Sequence, residues 1–267
     1  MVRQPAVAGQ FYTDDPRRLR AELTELVPAG AVRQKVLGII APHAGYLYSG
    51  AVAGAVYGAI EIPPTVVNLG PNHHGRGARI ALFPDGEWLT PLGPVPINAR
   101  LAELVREHAP GVESDAAAHR FEHSLEVQVP FLQHLRPDVS IVPLCLGFGD
   151  FPRCRTLGLG LAAAIRAYAE PVLIIASSDM THYESAAAAR EKDQEALRAV
   201  LALNPEGLLA VCRDKEITMC GVIPAAVMLV AVRELGATEA RVVRYATSGD
   251  VTGDDRQVVA YAAVTVH

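Results

Sequence analysis

Apolar runs of strand length recur along the whole chain, and segments of helical character separate many of them. The runs at Val36–Ala41, Val66–Leu69, Arg79–Phe83, Ser140–Leu146, Pro171–Ser177, Ala240–Thr247 and Gln257–Val266 read as strands. Among them, Ser49–Ile60, Arg100–His108, Leu157–Ala169 and Ala186–Leu203 read as helices, and Pro110 stops the second of these. This alternation predicts an α/β fold: a mostly parallel central sheet with helices on both faces. Half of the residues are hydrophobic but only 6% are aromatic, so small aliphatic side chains must fill the interior. Such residues suit close packing of helix on sheet. No Pro/Gly/Ser linker, fixed-period repeat or low-complexity tract divides the 267 residues, which predicts one domain over 1–267.

Several function classes are disfavoured. The formal charge is −5 and no Lys/Arg-rich run is present, which argues against nucleic acid as a partner. The opening MVRQPAVAGQFYTDDP lacks the apolar stretch of a signal peptide, and the apolar runs at Val172–Ala176 and Ala225–Val232 are too short to span a bilayer. A cytoplasmic protein without membrane association is expected. The four cysteines show no CxxC pair, so neither a zinc finger nor a disulfide framework is predicted.

Ligand sites of open α/β sheets form where strands end. Five polar clusters have that placement: Pro42–Tyr46, Gly70–Gly75, Glu122–Glu126, Ser177–His182 and Met219–Gly221. His43 follows the first strand, with Gly45 available for a sharp turn. Alone, it reads as a partly exposed loop histidine. His73 and His74 are neighbours, so in extended backbone they diverge and one at most faces a cleft. Cys220 stands between Ile217–Met219, which looks strand-like, and a helix opened near Pro224. A thiolate there is stabilised and metal-competent, and a small buried hydrophobe is the competing reading. We assign that plainer role to Cys145, and none to Cys154 and Cys212.

His123 and Glu126 are three apart, as are Asp179 and His182. On a helical turn each pair shares a face. The first suits metal binding, ligand orientation or capping; the second suits acid–base work or a helix cap. No Walker loop, GxGxxG, GxSxG or HExxH competes with these clusters.

The blocks AGQFY, IIAPHAGYLYSG, LGPNHHG, EHSLEVQVPFL, SSDMTHY, TMCG and SGDVTGD followed by VVAYAAV resemble, in order, those of the Memo-like family. In prokaryotes this family is component B of the AmmeMemoRadiSam system. The resemblance implies a fold like that of class III extradiol dioxygenases, which hold non-haem iron with two histidines and a glutamate. It implies His43, His73 and Cys220 as metal ligands, the cysteine standing in place of the glutamate. It also implies Asp179, His182 and His123 as cleft residues, with His182 the counterpart of the dioxygenase base. A thiolate widens the choice of metal: iron first, then copper or zinc. The expected activity is oxidative, on a small-molecule or peptide substrate, with AMMECR-type and radical-SAM proteins as partners. The alternative is a non-catalytic module that binds phosphopeptides or other partners, or sequesters a redox metal, in the same cleft. Fold resemblance alone does not transfer ring cleavage.

Overall fold

A computed structural model describes residues 1–28, 30 and 32–267. Four apolar strands, Gly38–Ala41, Val172–Ser177, Thr65–Pro71 and Ser140–Leu146, lie side by side in that order, and all run parallel. Their side chains alternate between two cores. Ile39, Val66, Ile141, Leu173 and Ile175 enter one; Ile40, Val67, Val142 and Ile174 enter the other. The helices Pro16–Leu26, Tyr46–Gly58 and Val129–Leu135 cover the first face. Ala99–His108, Phe151–Tyr168, Ala186–Leu201, Pro205–Asp214 and Val222–Glu234 cover the second. Burial on both faces is why these strands read as continuous apolar runs.

The flanks of the sheet are antiparallel. Val258–Val266 pairs antiparallel with Gly38–Ala41, and Ala240–Thr247 and His182–Glu184 add to it. At the other edge Ile80–Leu82 runs antiparallel to Ser140–Leu146 and carries Glu113–Ser114. The parallel character predicted from sequence therefore belongs to the centre. A separate three-stranded sheet, Val2–Arg3, Glu87–Thr90 and Gly93–Pro96, packs around buried Trp88. Its strands are too short to leave a periodic signal.

Other elements depart from expectation. The helix expected from Leu157 starts at Phe151, because Asp150 caps it by accepting from the Arg153 N–H at 3.0 Å. Ile217–Met219 is not a strand but part of the connection into Val222–Glu234. Asp179 and His182 do not share a helical turn, since His182 opens an edge strand. Gly45 has φ −56°, which any residue adopts, so the turn after His43 does not require glycine. Among the described residues no helix is long and apolar enough to cross a membrane.

Chain order creates the site. The connection from Gly38–Ala41 to Thr65–Pro71 skips one sheet position, which Val172–Ser177 later fills. The loops after Ala41, Pro71 and Ser177 are thereby gathered at one carboxyl-terminal edge of the sheet.

Candidate metal centre

His43 leaves the first of these strands and is 2% exposed. Its ring is fixed from behind. Ser177 Oγ donates to the Ser124 carbonyl at 2.6 Å and accepts from Gln128 Nε2 at 2.7 Å. With its hydrogen committed, Ser177 Oγ can only accept from His43 Nδ1–H, at 2.9 Å. This assigns the lone pair of His43 to Nε2. Burial, and then the neighbouring histidines, hold its pKa well below the ordinary value, so the ring is neutral.

His73 follows the Thr65–Pro71 strand and is oriented by Glu122. The buried carboxylate accepts from His73 Nδ1–H at 2.8 Å, from the His73 backbone N–H at 2.7 Å and from the Ser124 N–H at 2.9 Å. Burial would raise the pKa of Glu122. The bonds from His73 and Ser124 overcome it and hold the carboxyl well below its usual range. A carboxylate behind an imidazole in this way leaves Nε2 free to ligate and raises its basicity. His74 diverges: it is exposed, and its Nε2–H donates to the Phe121 carbonyl at 2.9 Å.

His123 completes the cluster. Its ring stacks on His73 at 4.7 Å and meets the edge of His43 at 5.4 Å. Phe11, from the AGQFY block, packs on it at 4.8 Å. Its pKa is lowered to about 4, chiefly by burial. Each of His43, His73 and His123 offers one nitrogen, and these nitrogens lie within 4.8 Å of one another. Three nitrogens bound tetrahedrally at about 2.0–2.1 Å would stand roughly 3.3 Å apart. The three imidazoles could hold one transition-metal ion if their nitrogens drew together.

Cys220 adjoins this trio through His43: Sγ lies 3.2 Å from His43 Nε2, the nitrogen that carries the lone pair. The structure thus brings His43 and His73 together with His123, and sets Cys220 beside them on the His43 side. The thiol is not the stabilised thiolate that its place before a helix suggests. Burial, and then Asp179, push its pKa up, so without a cation it keeps its proton. Only glycine fits after it, because a Cβ on Gly221 would stand 2.3 Å from the Ser177 carbonyl oxygen.

Asp179 is 5% exposed and turned toward the His43 loop, where it accepts from the His43 N–H at 2.8 Å. Burial raises its pKa to about 7. It does not hold His182. That ring donates Nδ1–H to the Thr218 carbonyl at 3.0 Å, and its backbone N–H donates to Thr218 Oγ1 at 2.7 Å. Nε2 of His182 is therefore the unprotonated nitrogen, and burial lowers the pKa of the ring. The next residue, Tyr183, is 74% exposed and has φ 60°, a conformation that costs a non-glycine residue about 1–3 kcal/mol.

Three contributors had no role assigned from the sequence: Glu122 and Ser177, which each open one of the polar clusters, and Arg3. Arg3 is buried under Trp88 and pairs with Glu126 at 2.8 Å. It also donates to the carbonyls of His119 and Glu122, both at 2.7 Å. Glu126 further accepts from Ala6 N–H at 2.7 Å and Tyr12 O–H at 2.6 Å. Its role is to clamp the His123 loop to the amino terminus, and His123 and Glu126 face opposite tasks. All four cysteines are free, and Cys145, Cys154 and Cys212 are buried.

A parallel sheet whose strand ends gather three imidazoles defines a class: α/β proteins with a candidate mononuclear metal centre. Within it, the chain belongs to the Memo family, whose description, Memo-like protein, matches residues 3–265. A MEMO1 family protein of Methanopyrus kandleri is 40% identical over 99% of this chain and 98% of its own length. A MEMO1 family protein of Aquifex aeolicus is 44% identical over 97% of each. The fold is shared with the crystal structure of uncharacterized protein JW3007 from Escherichia coli K12, with a TM-score of 0.55 over 85% of this chain and 99% of that one, at 14% identity.

Proposed function

We propose that this protein is a mononuclear metal-dependent oxidoreductase of the cytoplasm, with iron as the first candidate metal and copper the second. The observation that carries the proposal is the pre-orientation of the imidazoles. Glu122 and Ser177 each take up one ring N–H and turn the opposite nitrogen outward. Both rings belong to the trio whose nitrogens lie within 4.8 Å of one another.

A bound iron or copper ion would supply one-electron redox chemistry and Lewis acidity. His43, His73 and His123 would hold it, with Cys220 as a further donor beside His43. The surrounding residues manage protons. His182 is neutral near pH 7 and offers Nε2 as an acceptor, in a position fixed by Thr218. Asp179, raised to about 7, exchanges its proton near neutrality while anchoring the His43 backbone. The extradiol-like resemblance supports oxygen chemistry without naming the substrate.

The test is His182→Ala, read as metal content beside oxygen- or peroxide-consumption rate. The proposal expects metal content unchanged and turnover lower by about 10²–10⁴-fold. Equal rates with metal fully bound remove His182 from the chemistry and favour a binding module.

A further inference from the structure

We infer that Arg76 and Arg120, held on the exposed ring of Phe121, form an oxyanion-recognition rim for the substrate of the candidate metal centre. The inference rests on the proposed site for its location and on separate residues for its chemistry. Phe121 is 44% exposed although it is a large aromatic. The Arg76 guanidinium carbon lies 4.9 Å from its ring centroid and that of Arg120 lies 5.1 Å away. Among the described residues, no other ring carries two guanidinium groups.

The pair has no internal counter-charge. Among the described residues, neither guanidinium makes a salt bridge, and Arg76 and Arg120 hydrogen-bond only through their backbones. The acidic residues of the same loops are committed elsewhere. Glu122 is buried and engaged by His73 and Ser124. Asp115 accepts from Ala78 N–H at 2.6 Å and Ala117 N–H at 2.7 Å. Two like charges gathered on one ring repel, and the electron-rich face only partly offsets that. An oxyanion satisfies both, since each guanidinium offers a fork of donors matched to carboxylate or phosphate. In a chain with formal charge −5, this is a local feature and not part of a general polyanion surface.

Location gives the pair its meaning. Arg76 is three residues from His73, and Arg120 three from His123. Three residues of chain reach at most about 11 Å. The two loops are also fastened to each other at this point, because His74 donates to the Phe121 carbonyl and its ring packs on Phe121 at 6.4 Å. An oxyanion bound on the rim would therefore lie beside the two loops that carry His73 and His123. The substrate class is an organic carboxylate or phosphate ester, recognised at the rim by its charged end.

The experiment uses the full chain stripped of metal and, separately, reconstituted with Zn²⁺. The probes are monofluorophosphate, trifluoroacetate and, as the neutral control, trifluoroethanol, each followed by ¹⁹F NMR titration. Saturable binding of at least one anion and none of the alcohol is expected. Arg76→Gln and Arg120→Gln should each weaken it by about tenfold, the effect of removing a charge-assisted bond. Arg→Lys at either position should lose less. Tighter binding of monofluorophosphate assigns a phosphate ester; tighter binding of trifluoroacetate assigns a carboxylate. Arg166→Gln/Arg233→Gln, which removes the same charge from the last turns of two helices, should bind as wild type does. The inference is overturned if neither anion binds, if Arg76→Gln/Arg120→Gln binds like wild type, or if the charge-matched control loses as much. Binding by stripped protein is independent of the metal, so failure of the metal centre shows separately, as reconstitution without stoichiometric Zn²⁺.

Discussion

Glu122→Gln separates a histidine cluster built to bind metal from one that is merely buried. The carboxylate accepts three N–H donors, two of them from His73. Glutamine preserves the shape, but it offers one carbonyl oxygen and adds two N–H groups of its own. At least one buried donor is then unpaired, a loss of about 1–3 kcal/mol in stability of the metal-free protein. Removing the charge behind a ligating imidazole weakens metal binding by about 10–100-fold, or about 1.4–2.8 kcal/mol. The sign of the pH effect follows from the depressed pKa of Glu122. The unfolded carboxyl takes up its proton first as pH falls, so this stabilisation is present above the ordinary glutamate value of about 4.3 and lost below it. Glu122→Gln should flatten that acid limb. Anaerobic calorimetric titration with Fe²⁺ or Zn²⁺ reads the affinity, and urea unfolding of chelator-treated protein from pH 3 to pH 7 reads the stability. Unchanged metal affinity beside reduced stability would refute the orienting role of Glu122 and leave it a structural carboxylate.

Cys220 has a test of its own in proton release. Its thiol holds its proton without a cation, whereas His43 and His123 are already neutral. Loading at pH 8 should therefore release about one proton if the thiol ligates and about none if it does not, measured calorimetrically in buffers of different ionisation enthalpy. Cys220→Ser should abolish the release. Arg3→Ala should destabilise the fold by about 3–5 kcal/mol, because it strands buried Glu126 without its partner; chemical unfolding measures this. Gly221→Ala should cost about 1–3 kcal/mol and weaken metal binding, because the new Cβ must displace the Ser177 backbone beside the trio; unfolding and metal titration check both.

The central strands were legible because both of their faces are buried, and a segment such as Val172–Ser177 can then hardly read as anything else. The histidines were legible because they follow such segments directly. Their arrangement was not. Glu122 meets His73 across 49 residues, and Ser177 meets His43 across 134. Periodicity reports on neighbours three or four positions away and is silent at such separations. The spacing of His123 and Glu126 invited a shared helical face. The 3₁₀ turn begins only at Glu126, so His123 swings to the trio and Glu126 to Arg3. The helix Pro16–Leu26 carried a readable signal, Asp15 before Pro16 and apolar Leu19 and Leu23 on one face, which the alternation of longer segments overshadowed.

The most direct measurement is the metal content of protein purified without oxygen or chelator, by elemental analysis, for wild type and for His43→Ala, His73→Ala and His123→Ala. A centre built on these imidazoles predicts about one transition-metal ion per chain in wild type and a large loss in each variant, with folding unchanged by circular dichroism. His74→Ala, whose ring faces Phe121, should keep its metal. Wild-type protein that holds no metal after anaerobic reconstitution, or variants that retain it in full, would contradict the centre described here.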